Sequence, residues 1–323
     1  MTLAEGCLGP LHPTGTARVV WDEQGVRVVD VSPAQALARA TAVGGRVVDL
    51  VRREPRGDDQ MCRWELVVTL SGSPEDRAAA GWIVADEIMR ERTGGRPRTY
   101  GKWREATLNG AKLTGKDHVL VKAFAEPVFE AAAAKKEGNH GLAGYVGEWL
   151  WYLLTRDLPE DPARAVEILG PPKAAVNDGG GDGLIVYRED GTARGFSFRL
   201  WEMKKYTGKA NRPDGAIHKG WTQLSTKGAT YLGMLSWGDK LLADDTREFV
   251  GSLAEQWVDE EESAGGGVSI ALNATAIPTK AFHLAHEHFT THKHPGALQG
   301  LVVAIDNLEG FAHEVREYVW TAL

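Results

Sequence analysis

The sequence of 323 residues predicts an α/β (α+β) protein, a mixed central sheet flanked by helices, with a smaller N-terminal α+β domain. Three observations carry this expectation. Short β-rich runs alternate with longer helical stretches along the chain. Two early helices share the same punctuation, Ser-Pro at the start and Gly-Gly at the stop. From about residue 118 the order becomes helix, hairpin, helix, then strands and helices in alternation, as in a layered domain.

The elements follow in order. "ARVVWDEQGVRVVDV" reads as two β-rich runs joined by a turn at Asp22 to Gly25. "SPAQALARATAVGG" has Ser32 as a helix cap, Pro33 at the first helical position and Gly44–Gly45 as the stop. "RWELVVTL" is a strand. "SPEDRAAAGWIVADEIMRERTGG" places acids in its first turn and arginines in its last, matching the helix dipole. Residues 94 to 117, basic and glycine-containing, read as a loop or linker, so the domains are expected at 1–117 and 118–323. "HVLVK" is expected as a short strand, followed by helices over "AEPVFEAAAAKKEG" and "HGLAGYVGEWLWYLLTRD". "GLIVYRED" and "RGFSFRLWEMKKY" form two strands connected through Asp190–Gly191. A helix over "AIHKGWTQLSTKGATYLGMLSW", an acidic helix, the strand "GVSIALNAT", a His-rich helix, the strand "LVVAID" and a last helix complete the chain.

Composition excludes several classes. Hydrophobic residues make up 43% and charged residues 25%, ordinary for a globular protein. The two cysteines, Cys7 and Cys62, lie far apart and lack metal-ligand spacing. Apolar runs fall short of a membrane span and the N-terminus lacks a signal-peptide pattern, so a cytoplasmic protein without membrane partners is expected. A net charge of −7 argues against a general nucleic-acid coat. Cations nevertheless cluster between Arg90 and Lys122 and between Lys204 and Lys227, while acids collect in 244–262. Such patches govern polyanion encounter locally, or are plain solvated surface.

The stretch "RLWEMKKYTGKA" concentrates the chemistry. Alternation puts Glu202 and Lys204 on one strand face with Phe196, Phe198 and Leu200, and sends Trp201, Met203 and Lys205 to the other. An apolar row ending in a carboxylate–ammonium pair is either a polar site or an ion pair at a sheet end. Glu148 lies on a helical stripe with Tyr145 and Tyr152, where a carboxylate is costly unless a cation meets it. Asp182 stands at the mouth of the first hairpin strand in "GGGDG", and comes near Glu202 if the loop at 188–193 sets a register that pairs the far ends of the two strands. Clustered carboxylates suit a hard divalent cation, and a neighbouring lysine suits phosphodiester hydrolysis. Taken singly, each acid also reads as a helix flank, a turn residue or a surface pair.

The sequence Glu148 in "GYVGEWL", Asp182 in "GGGDGL" and "EMK" at 202–204 resembles the core of the PD-(D/E)XK nuclease superfamily over about residues 118–240. The resemblance implies a restriction-endonuclease-like core and Mg²⁺ (or Mn²⁺) held by Glu148, Asp182, Glu202 and the Met203 carbonyl, with Lys204 assisting catalysis. Gln223 and Tyr231 resemble the Gln–Tyr pair of exonuclease-like members, though at a spacing of eight, and Gly181 replaces the family's proline. The layout is also similar to the HamA type of nuclease subunit, which accompanies helicases in bacterial phage defence. DNA as substrate and a helicase or other regulatory subunit as partner are therefore expected. Lys205, Lys209, Arg212, Lys219, Gln223 and Lys227 are the expected nucleic-acid contacts. A non-catalytic nucleic-acid-binding or partner-binding subunit with a degenerate nuclease fold is the alternative.

Two rival motifs are weaker. "GAKLTGKD" has the glycine–lysine spacing of a phosphate loop, but Asp117 stands where Ser or Thr should be. "HLAHEHFTTHKH" is not an H-E-x-x-H zinc site and reads as a hydrated surface helix.

Overall fold

A computed structural model describes residues 18–21, 27–57, 62–69, 73–133, 140–158, 164–172, 181–189, 195–208, 213–235, 243–290 and 297–323. The chain begins with an antiparallel ribbon, β1 (Arg18–Trp21) and β2 (Arg27–Asp30). Helix α1 (Pro33–Ala42) starts on a capping box, Ser32 and Gln35 each satisfying the other's backbone amide. Strands β3 (Val51–Arg56) and β4 (Cys62–Thr69) form an antiparallel pair. Helix α2 (Pro74–Thr93) runs from a Ser73 cap to Gly94, whose φ of 61° is the left-handed stop that glycine tolerates.

Next come α3 (Lys102–Leu108), α4 (Gly115–Ala133) and α5 (His140–Arg156). Strands β5 (Arg164–Leu169), β6 (Gly183–Glu189) and β7 (Phe196–Tyr206) make an antiparallel meander. Helix α6 (Asp214–Leu235) follows, then the short α7 (Asp244–Gly251) and α8 (Leu253–Val258), and β8 (Ala264–Asn273). The chain closes with α9 (Ala285–His288), β9 (Leu298–Ile305) and α10 (Leu308–Trp320).

The seven-stranded sheet has the order β3-β4-β9-β8-β7-β6-β5. Its centre, β4-β9-β8-β7, is parallel, and both flanks are antiparallel. Central strands buried on both faces read as continuous apolar or small runs, and β8 and β9 do so. One core cluster lies between the sheet and α1, α2 and α5; the other lies under α6 and α8.

Several expectations change. Residues 94–117 are not a linker: a π turn at Pro97–Gly101 leads into α3. Trp103 is fully buried, stacked 5.8 Å from Trp82, with its indole N–H on the Val319 carbonyl at 3.0 Å. Arg96, Arg98 and Lys102 of this stretch are exposed and Arg104 lies over the Trp82 ring, paired with Asp86 at 3.0 Å, so a basic composition concealed a buried helix face. "HVLVK" is not a strand but part of α4. Val121, Ala125 and Phe129 are all fully buried at four-residue spacing while Val119 is 68% exposed, a helical period. The charged β3 and the edge strand β5 were not anticipated, because edge strands tolerate charge and lack a clean alternation. Among the described residues the His-rich helix is a single turn, α9, and residues 291–294 of that expected helix lie outside them. The expected boundary at 117/118 falls inside α4, and β3 and β4 hydrogen-bond into the same sheet as β5–β9.

Candidate metal and phosphodiester site

The two long helices on either face of β7 decide where each side chain goes. On one face α5 packs close: a Cβ at Gly183 would lie 2.4 Å from the Trp151 ring, and one at Gly147 would lie 2.9 Å from the Ala271 methyl. Trp151 in turn meets Trp201 at 5.7 Å. On the other face α6 comes down over Gly220, where a Cβ would lie 2.9 Å from Val268 and 3.6 Å from Lys204 Cγ. Gly220, one of the interior glycines that weaken α6 as a helix, is thus what lets it approach the sheet, while Gly228 makes room for Trp257 of α8.

Under α6 the row Phe198, Leu200, Glu202, Lys204 runs along β7. Phe198 and Leu200 are fully buried and the Glu202 side chain is 3% exposed, whereas that of Lys204 is 19% exposed. The Lys204 ammonium donates to Glu202 Oε1. Glu202 Oε2 is buried with no hydrogen-bond partner among the described residues.

Register brings in the second acid. Gly183 pairs with Trp201, so Asp182 stands opposite Glu202 at the point where β6 begins. The Asp182 N–H donates to the Trp201 carbonyl at 3.1 Å, and its Oδ2 accepts the Met203 N–H at 2.7 Å. The aspartate side chain therefore takes the place of a strand residue at the ladder's end. Burial first, then the neighbouring Asp182 charge, pushes the Glu202 carboxyl up to about 7, with Lys204 pulling the other way. Tyr231 of α6 is also raised, mainly by burial, with Gln223 opposing and the Glu202 and Asp182 charges adding. Gln223 and Tyr231 thus reach the same site despite their wide spacing.

The remaining expected residues divide. Glu148 stands half-buried on α5, the helix that packs on the opposite face of β7, and among the described residues no three His, Cys, Asp or Glu side chains form a metal-sized group. Lys205 also turns away from α6. Its ammonium is buried without a hydrogen-bond partner among the described residues, and burial lowers its pKa, partly offset by Glu309, so it offers no surface contact to phosphate. Lys219 and Lys227 are exposed on α6 and Gln223 between them is half-buried, a stripe at four-residue spacing that ends at Tyr231. Lys209 and Arg212 lie outside the described residues.

The other motifs settle differently. "GAKLTGKD" opens α4 but follows a helix rather than a strand, and its Asp117 pairs with Arg98 at 3.7 Å. A cleft of about 220 Å³ lies away from the acids, lined by Trp64, Tyr187, Trp201 and Gln299. The pairing of His288 with His218 joins residues 70 apart, which no local pattern announces. No helix among the described residues is long and apolar enough to cross a membrane. No protein-family model matches this chain, and no curated protein matches it.

Proposed function

We propose that the chain is a metal-dependent nuclease that hydrolyses phosphodiester bonds in DNA, with a restriction-endonuclease-like core formed by α5, the β5–β7 meander, α6 and β8. The observation that carries this reading is Glu202. It is a buried carboxylate with one oxygen lacking a partner, set against Asp182 and an ammonium. Two carboxylates whose charges oppose each other in a buried place are relieved by a cation, and an all-oxygen donor set suits a hard one. Mg²⁺, or Mn²⁺, fits that set. When bound, it lowers the pKa of water and offsets charge on a phosphoryl oxygen.

The chain's own residues then divide the work. Asp182 and Glu202 hold the cation. The Met203 carbonyl joins them, because a strand residue turns its N–H and C=O to the same side, and that N–H already faces Asp182. Lys204, anchored on Glu202, orients the attacking water and meets negative charge on the phosphate. Lys219 and Lys227 line up on α6 to follow a nucleic-acid backbone, with Gln223 and Tyr231 leading from them to the acids. Bacterial defence against foreign DNA, with a helicase or other regulatory subunit as partner, completes this reading.

The test is incubation with linear, circular and single-stranded DNA, with Mg²⁺ and with chelator. Cleavage that needs the metal, is lost in Lys204→Ala and leaves DNA binding nearly intact is the expected result. A second reading, a degenerate non-catalytic subunit, is favoured by the lack, among the described residues, of a group of three potential metal ligands. Binding without metal-dependent cleavage on every DNA would establish it and overturn the first.

A further inference from the structure

A second set of metal-type ligands lies outside the acid site. His218, early in α6, and His288, at the end of α9, meet with ring centres 4.7 Å apart and planes at 62°. His288 Nε2 stands 3.1 Å from His218 Nδ1. A hydrogen bond between the two rings is the simplest account of the second distance but fits the first poorly. In a straight imidazole–imidazole bond of that length the ring centres lie about 5.3 Å apart, since each nitrogen sits about 1.1 Å from its ring centre. Two imidazoles that converge on one cation, at about 2.0–2.1 Å each, place their nitrogens about 3.0–3.4 Å apart and their ring centres about 4.5–5.2 Å apart. Both observed separations fall within the second pair of ranges.

We propose that His218 and His288 form a binding site for a borderline divalent transition-metal ion of the Zn²⁺ class, which ties the 285–289 turn to α6. The ligands are held from below. Phe289, next to His288, is buried against Trp221 at 5.8 Å, and Ile217, next to His218, is buried in the same cluster. That packing sets the two backbones before any ion arrives, which lowers the cost of assembling the site. His218 is exposed and His288 half-buried, so an ion has a path in and water completes its shell. Imidazole donors select against Mg²⁺, so this site is chemically separate from the carboxylate pair. With two protein ligands, the affinity belongs in the micromolar rather than the nanomolar range.

The experiment uses the full chain, stripped with chelator and titrated with ZnCl₂ by calorimetry in excess Mg²⁺. One saturable site is expected, weakened at least about tenfold in His218→Gln and in His288→Gln, and unchanged in His283→Gln. Co²⁺ bound in place of Zn²⁺ gives a visible absorption band that disappears in the same two variants, and circular dichroism checks that each remains folded. Equal Zn²⁺ binding by the double variant overturns the proposal. So does loss in His288→Gln alone with His218→Gln unaffected, which would place the ligands within the histidine run, and so does the absence of saturable binding.

Discussion

Lys204 and Lys205 are chain neighbours of one residue type, yet the two faces of β7 treat them in opposite ways. Lys204, under α6, is anchored on a carboxylate and keeps a path to solvent. Lys205, on the α5 side, has a buried ammonium without a hydrogen-bond partner among the described residues. The α6 face ends in charge; the α5 face is aromatic, with Trp151 filling the space that Gly183 leaves and Trp201 the space that Gly267 leaves. One strand thus separates a chemical face from a supporting face, and alternation alone sets which residue serves which.

The sharpest way to break this contrast is paired substitution. Lys204→Ala should lower metal-dependent cleavage by at least about a thousandfold, while Lys205→Ala should leave the cleavage rate within a few-fold. Equal loss in both would dissolve the distinction between the faces. The next effect is on stability. Trp151→Ala, which empties a fully buried site on the supporting face, should cost about 3–5 kcal/mol in denaturant unfolding.

A pH series sharpens the comparison further. Glu202 has a folded-state pKa raised to about 7, above that of the unfolded chain, so the native state binds the extra proton between the two values. Its contribution is therefore fully present below about pH 4.5 and is lost as pH rises through 7, by about 2–3 kcal/mol in metal-free protein. Melting curves from pH 5 to 8 should show that slope, and Glu202→Gln should flatten it. Mg²⁺ should restore stability at the alkaline end if the acid pair holds the cation. Smallest is the expected effect along α6. Lys219→Ala and Lys227→Ala should each weaken DNA binding a few-fold and reduce the salt slope of affinity by about one. An unchanged slope in both would remove that stripe from the interface.

Much of the fold can be read before any coordinates. The Ser32 and Ser73 caps, the Gly94 stop and the alternating β7 row are local signals, and local physics produces them. The meeting of Asp182 and Glu202 follows from where a turn must fall between two runs of similar length. What failed to show was set by distant partners. The basic stretch around Trp103 looks like a linker until Trp82 and the Val319 carbonyl are placed beside it. "HVLVK" has strand composition, and only the neighbours of Val121 and Phe129 favour a helix. Glu148 lies on an apolar stripe as expected, but which side of a sheet a helix covers is not written in its own residues.

By itself, then, the order of residues determined the alternation of elements, the faces of β7 and the adjacency of one acid pair, because these depend on periods of two and of 3.6 and on short turns. Tertiary structure alone decided that β4 pairs with β9, that α5 and α6 cover opposite faces of β7, and that His218 finds His288. Those outcomes rest on packing between segments far apart in the chain, where burial of shared apolar surface outweighs local preference.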